Sequence, residues 1–141
     1  MAAACIKLGI ERPPLNEAGD PLVADGVLKL GNLDAVRDWG HAREYVEAMW
    51  RMLQRDEPAD YVIGTNTSYT VRDLSRVAFE RVGLDWEKHV ESDERFRRPT
   101  EIAASKGDYS KAKAELGWEP KVSFEELIHE MVDADLALLS G

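Results

Sequence analysis

The chain has 141 residues, 44% of them hydrophobic, which suits one compact domain with a core of its own and is too short for two. A formal charge of −9 excludes generic binding to nucleic acid or anionic membrane, which needs a basic surface, and the single Cys5 excludes an internal disulfide. No apolar run approaches the roughly 20 residues of a membrane span, Met1 to Gly9 is too short in its apolar stretch for a secretory signal, and a soluble cytoplasmic protein is expected. His41, His89 and His129 stand too far apart to predict a metal-ligand cluster.

In chain order, Ala2 to Leu8 reads as the last turns of a helix closed by Gly9, with Cys5 a small helix residue. No N-cap precedes this helix, which suggests that the chain continues upstream in its parent sequence. Glu11 to Gly26, with three prolines and two glycines, reads as an irregular loop, and Val27 to Leu30 as a short strand. From His41 to Arg55 the residues Ala42, Tyr45, Val46, Met49, Trp50, Met52 and Leu53 form a helical stripe expected to bury one face, and Pro58 forbids continuation. Tyr61 to Ile63 is a candidate buried strand, followed by the turn-rich GTNTS.

Thr70 can cap a helix from Val71 to Val82, with Val71, Leu74, Val77, Ala78 and Val82 inward and Gly83 at its end. Trp86 to Val90 reads as another strand. Asp108 can cap a short helix from Tyr109 to Leu116, ended by Gly117, and Ser123 with Glu126 has capping-box spacing for a helix from Phe124 to about Leu139. The fold class that results is α/β, a small helix-rich domain with a few short strands and no Rossmann domain.

Two stretches carry chemistry. In RDW, Arg37 at a strand-to-helix junction can offer a planar fork of donors to a phosphate beside a helix N-terminus, or can pair with Asp38 as a structural tie. Asn32, after Gly31, can cap the turn or bond a base or ribose. In ERFRRPTE, three arginines fall within four residues, and Pro99 keeps Arg98 out of the helical region. If this segment is extended, Arg95 and Arg97 face solvent and Arg98 points inward, where its charge needs a partner: a pyrophosphate, or Glu101. Tyr109 and Lys113 have the Tyr-x-x-x-Lys spacing used for proton transfer beside a nicotinamide, but the helix is short and the chain has no glycine-rich dinucleotide loop, so no catalytic role is read there.

KLG at Lys7 to Gly9, LGNLDAVRDWGHAREYVEAMW at Leu30 to Trp50, DEPADYVIGTNTSYTVRDL, RPTE, GDYSKAKAELGWEPKVSFEEL and the terminal helix follow one another in an order that resembles the C-terminal third of the GDP-mannose 4,6-dehydratases, extended short-chain dehydrogenases. The resemblance implies the substrate-binding part of a lyase. In the complete family enzyme NADP sits on an N-terminal Rossmann domain, the mannosyl C4 is oxidised, water is eliminated across C5 and C6, and the hydride returns to C6. The catalytic threonine, glutamate, tyrosine and lysine belong to that N-terminal part, so no catalytic residue, no cofactor site and no metal is expected on this chain, which alone is expected to be inactive.

What the resemblance carries over is the nucleotide end of the site. Arg37 and Arg98 would grip the GDP diphosphate, Leu30, Gly31 and Asn32 would lie near the nucleoside, and Glu101 would accept hydrogen bonds from the ribose hydroxyls. Trp39 and His41 are expected to pack and to start the helix. The implied partners are a nucleotide sugar of the GDP-mannose class, a Rossmann-domain half in cis or in trans, and a further copy in a homo-oligomer. The chain departs from the family pattern at Ile10 to Lys29, an insertion of about a dozen residues, and at Glu44, Arg97 and Tyr109, where an aspartate, an aromatic and a proline are usual; a family lysine of the nucleotide site would lie before Met1.

Overall fold

The structure, a computed structural model, describes residues 1–10, 15, 19, 21, 23–97, 100, 102 and 104–140. In chain order the elements are α1 (Ala2–Leu8), β1 (Val23–Ala24), β2 (Val27–Leu30), β3 (Val36–Arg37), α2 (Ala42–Met52), β4 (Tyr69–Thr70), α3 (Val71–Arg81), β5 (Val90–Ser92), α4 (Ser110–Leu116) and α5 (Phe124–Ser140). Short 3₁₀ turns occupy Trp86–Lys88 and Glu94–Phe96. The chain is α/β with few and short strands, and no helix among the described residues is long and apolar enough to cross a membrane. These elements fall into two compact units: Met1–Ala35 with Thr70–Glu101 and Ile128–Gly141, and Val36–Tyr69 with Ile102–Leu127.

The first unit is built on a three-stranded sheet ordered β1-β2-β5. β2 is the strand expected over Val27–Leu30, and β1, inside what the sequence reads as loop, forms a hairpin with it, pairing Val23 with Leu28 and Ala24 with Val27. Its two-residue turn is Asp25–Gly26, both at positive φ (53° and 73°), the conformation whose twist matches the flanking strands. β5 adds parallel to β2, Leu28 opposite Val90 and Leu30 opposite Ser92. The expected strand Trp86–Val90 starts late because the Asp85 carboxylate accepts from the Glu87 backbone N–H and winds 86–88 into a 3₁₀ turn. Cys5, Val77, Phe79, Val90 and Val132 are among the buried side chains, and Phe79 stacks on His89 with ring centroids 5.8 Å apart. Arg81 ties α3 to α5 through a bidentate pair with Asp133, Nη2 to Oδ2 at 2.6 Å.

The start of α3 follows the sequence expectation. Thr70 Oγ1 accepts from the Asp73 N–H (3.0 Å) while the Asp73 carboxylate accepts from the Thr70 N–H (2.9 Å) and hydroxyl (2.6 Å). Those hydrogen bonds from Thr70, side chain first and then backbone, hold the Asp73 carboxyl below its usual range. A carboxyl whose folded pKa is depressed stabilises the fold above its unfolded pKa of about 3.9 and loses that contribution as pH falls through the folded value. Thr70→Ala is therefore expected to cost about 1 kcal/mol at pH 7, the usual loss of a helix cap, and less in strong acid, where Asp73 is protonated in both proteins. Urea denaturation of the two proteins at pH 7 and in strong acid reads the difference.

The second unit contains the two-residue strand β3, which pairs with β4 as that strand leads out of the unit, and an isolated parallel bridge from Val36 to Ala104. Its core is Ala48 from α2, Ala112 from α4 and Trp118, with Tyr45, Met52, Tyr61, Ile63, Tyr109 and Leu116 packed around them. α4 starts at Ser110, one residue later than expected, with Tyr109 at its N-cap and no side-chain cap; Asp108 accepts from the Ser110 N–H at 2.9 Å just ahead of it, and the helix ends at Gly117 in the left-handed region, φ 63°. Ser123 and Glu126 make the capping box that opens α5.

Two expectations are corrected here. The seven-residue apolar stripe of α2 does not bury one face: Tyr45, Ala48 and Met52 pack inward, whereas Val46, Met49, Trp50 and Leu53 are 58–82% exposed. The apolar positions span two sides of the helix, so a single contact surface cannot cover them all. Tyr61–Ile63 is extended but is not a sheet strand; its backbone N–H and C=O groups make no hydrogen bond among the described residues, and Val62 is 56% exposed.

Candidate functional site

Three of the expected nucleotide-site residues stand together in the first unit. Leu30 ends β2, and its carbonyl accepts from the Asp93 N–H at 2.7 Å. The Gly31 carbonyl accepts from the Ser92 hydroxyl, also at 2.7 Å. A Cβ on Gly31 would lie 2.4 Å from the Phe96 carbonyl oxygen, a separation no side chain can occupy, so the glycine is required by the close approach of two backbones. Asn32 turns the chain: its side-chain oxygen accepts from the Asp34 N–H at 3.0 Å.

The segment facing Gly31 carries the first arginines of ERFRRPTE. It is not extended there, as the alternation argument supposed, because the Asp93 carboxylate accepts from the Arg95 N–H and winds Glu94–Phe96 into a 3₁₀ turn. Arg95 folds back on Asp93 through Nε and Nη2 (3.1 and 2.7 Å), and Arg97 pairs with Glu94 at 3.2 Å. Both arginines are largely exposed, and their side chains do reach solvent, although by way of a turn rather than a strand. The hydrogen bonds from Arg95 draw the Asp93 carboxyl down to about 2. Arg98 and Glu101 lie outside the described residues.

Arg37 belongs to the second unit. On β3 its Nη1 donates to the carbonyls of Val36 (2.7 Å) and Ile102 (2.9 Å). Asp38 is not its partner. The Asp38 carboxylate instead accepts from the Thr65 N–H (3.0 Å), the Thr65 hydroxyl (2.7 Å) and the Gly107 N–H (2.9 Å). Gly64 and Gly107 let these backbones meet, since a Cβ on Gly64 would sit 2.6 Å from the Gly107 Cα. Nothing local in the sequence signals this carboxylate clamp, because its donors come 27 and 69 residues later.

The remaining residues of this stretch are structural, as read from the sequence. His41 starts α2, its Nδ1 accepting from the Arg43 N–H at 3.1 Å, and Trp39 packs on Phe124 with ring centroids 5.8 Å apart. Glu44 holds the loop before α5, accepting from the backbone N–H of Lys121 (2.9 Å) and Val122 (3.2 Å), while its own carbonyl accepts from Trp118 Nε1 (2.8 Å). Beside them is a hollow of about 280 Å³ lined by Trp39, Tyr69, Tyr109 and Phe124 with Thr65, Lys121 and Ser123 among its polar groups. Tyr69 and Phe124 stack 4.0 Å apart and fix one wall. Sequence reasoning misses this hollow, because its lining is gathered from four separate stretches.

Tyr109 and Lys113, which share the Tyr-x-x-x-Lys spacing, have separate partners. The Tyr109 ring stands edge-on to Trp118, 6.0 Å between centroids. Lys113 pairs with Glu119, whose hydrogen bond and charge raise the ammonium above its usual range. Among the described residues no group of three or more His, Cys, Asp or Glu could hold a metal ion.

Comparison with known proteins adds the following. Residues 22–131 match the family model described as GDP-mannose 4,6 dehydratase. GDP-mannose 4,6 dehydratase 1 of Arabidopsis thaliana is 58% identical over 111 residues, covering 79% of this chain and 31% of the relative. GDP-mannose 4,6 dehydratase of Homo sapiens is 46% identical over 127 residues, covering 78% of this chain and 34% of the relative. A solved UDP-glucose 4-epimerase of Thermotoga maritima with UDP-glucose is 26% identical, with a TM-score of 0.70 over 98% of this chain and 38% of its own. The chain thus spans about a third of the length of the curated relatives it matches.

Proposed function

Because this chain belongs to the GDP-mannose 4,6-dehydratase family, we propose that it is the nucleotide-sugar-binding portion of such a lyase, taking GDP-mannose or a related nucleotide sugar in a cytoplasmic setting. The observation that carries the reading is the match over residues 22–131, which spans Leu30, Gly31, Asn32, Arg37, Arg98 and Glu101 in one segment. The residue types suit the ligand: guanidinium forks for a diphosphate and a carboxylate for a ribose diol. The carbonyls of Val36 and Ile102 orient the Arg37 guanidinium, which lowers the ordering cost of a phosphate contact.

Redox and elimination chemistry belong, in this proposal, to a complete enzyme. NADP is assigned to the portion of the family chain outside the matched segment, and the chain alone is inactive.

Titration calorimetry with GDP and GDP-mannose tests the reading. Arg37→Ala and Arg98→Ala are each expected to weaken binding by about 1.5–3 kcal/mol, the range for hydrogen bonds to charged groups. No heat with the unaltered protein, or full affinity in both variants, overturns it. A second reading, a non-catalytic module that associates with its own copies, is favoured only by the exposed apolar side chains of α2.

A further inference from the structure

The hollow of the second unit has no task in the nucleotide reading, since none of Leu30, Gly31, Asn32, Arg37, Arg98 and Glu101 lines it. Its apolar walls are fixed by contacts within the chain. Tyr69 lies flat on Phe124 at 4.0 Å, Phe124 meets Trp39 at 5.8 Å, and Tyr109 is held edge-on by Trp118 at 6.0 Å. The capping box of Ser123 and Glu126 sets the backbone from which Phe124 projects. Walls held in this way are pre-organised, so a ligand that enters them meets little ordering cost.

The polar side chains of the lining divide into two groups. Thr65 and Ser123 are spent on the fold, the first donating its hydroxyl hydrogen to Asp38 and the second to Glu126. The hydroxyls of Thr67, Tyr69 and Tyr109 make no hydrogen bond to any other described residue. Lys121 is anchored through its backbone N–H on the Glu44 carboxylate, and its ammonium likewise makes no hydrogen bond to a described residue.

Aromatic walls carrying unspent hydroxyls narrow the chemistry of an occupant. A flat aromatic molecule suits the rings but leaves the hydroxyls unpaired as it displaces their water, and an open polyol does the reverse. A pyranose answers both demands, with C–H groups on its ring face and hydroxyls around its edge. Size points the same way: at about 280 Å³ the hollow falls just short of the roughly 300–1,000 Å³ of sites for larger ligands, which leaves room for one sugar ring and none for a nucleoside diphosphate sugar. A chain of charge −9 does not gather anions, which favours an uncharged ring. We propose that this hollow binds a single neutral pyranose, with Thr67, Tyr69, Tyr109 and Lys121 as its hydrogen-bonding partners and the aromatic walls against its ring face. The site goes beyond the nucleotide reading and does not depend on it.

The test titrates the full chain, labelled with nitrogen-15, with the methyl α-pyranosides of glucose, mannose and galactose, and with phenol as the purely aromatic comparator. The expected result for at least one pyranoside is saturable movement of the Trp39 indole and the Thr65, Thr67 and Ser123 amide resonances, with a Kd on the order of 1 mM. Tyr109→Phe keeps the ring against Trp118 and Thr67→Val keeps the side-chain shape, so both leave the thermal midpoint unchanged. Each is expected to weaken that binding about fivefold, the loss of one hydrogen bond. No saturable movement with any of the three sugars overturns the inference, as does binding that ignores both variants. Movement confined to Leu30–Asn32 overturns it in favour of the nucleotide-sugar residues as the sugar's site, and tighter binding of phenol at the hollow overturns it in favour of an aromatic ligand. GDP titration reports separately on the nucleotide reading, so the two can fail independently.

Discussion

Trp118→Ala is expected to lower the unfolding free energy by about 3–5 kcal/mol, the range for emptying a large aromatic site in a packed core. Trp118 is 1% exposed and central to the second unit. Tyr45 and Tyr109 meet its ring edge-on, at 6.2 and 6.0 Å between centroids, and each such aromatic pair adds about 0.5–1.5 kcal/mol beyond area burial. The truncation also leaves the Glu44 carbonyl without the indole N–H that donates to it at 2.8 Å. Trp118→Phe separates the contributions, since it keeps most of the apolar contact and loses the hydrogen bond, for an expected cost nearer 1–3 kcal/mol. Urea denaturation of the three proteins gives the comparison, and equal midpoints for all three would refute the packing argument.

Asp38→Ala is the second large effect, about 3 kcal/mol or more, because it strips a charged acceptor from the Thr65 N–H, the Thr65 hydroxyl and the Gly107 N–H at once. Asparagine is expected to rescue in part. With its amide oxygen in the place of Oδ2 it still accepts from the Thr65 and Gly107 N–H groups, and its NH₂ group can donate to the Thr65 hydroxyl, so the charge is what is lost. The clamp has a second readout in Tyr45, whose phenol is pushed up first by burial and then by the charges of Asp38 and Glu44. Removing the Asp38 charge should therefore bring the Tyr45 titration down toward its ordinary value, an absorbance measurement independent of stability. A titration that does not move, together with an unchanged melting temperature, would rule out the clamp.

Much of the fold was legible because much of it is settled within four residues. Thr70 with Asp73 and Ser123 with Glu126 are caps whose partners are neighbours in sequence, and Gly9 and Gly117 end helices by a conformation other residues resist. What failed depends on distant pairing or on the side of a helix. Val23–Ala24 is too short to show an alternation, so its hairpin is recognisable only from the Asp25–Gly26 turn. Tyr61–Ile63 was correctly expected to be extended, yet extension is local whereas a ladder needs a second strand. On α2 the apolar periodicity was real, but periodicity alone cannot say that two different surfaces share it. The same limit applies to the site, where the residue types of RDW leave Arg37 open to a phosphate or to Asp38, and the fold gives Asp38 to Thr65 and Gly107.

The crowding of Gly31 against the Phe96 carbonyl bears on how any mutational survey of this protein should be interpreted. Even alanine at position 31 must push away the main chain of the arginine-rich stretch, and under the proposed nucleotide-sugar reading an altered course there changes ligand affinity whether or not the glycine ever touches a nucleoside. Intolerance at that position is thus a report on the spacing of two polypeptide segments, and it becomes evidence of direct contact only when a variant that restores the spacing still fails to bind.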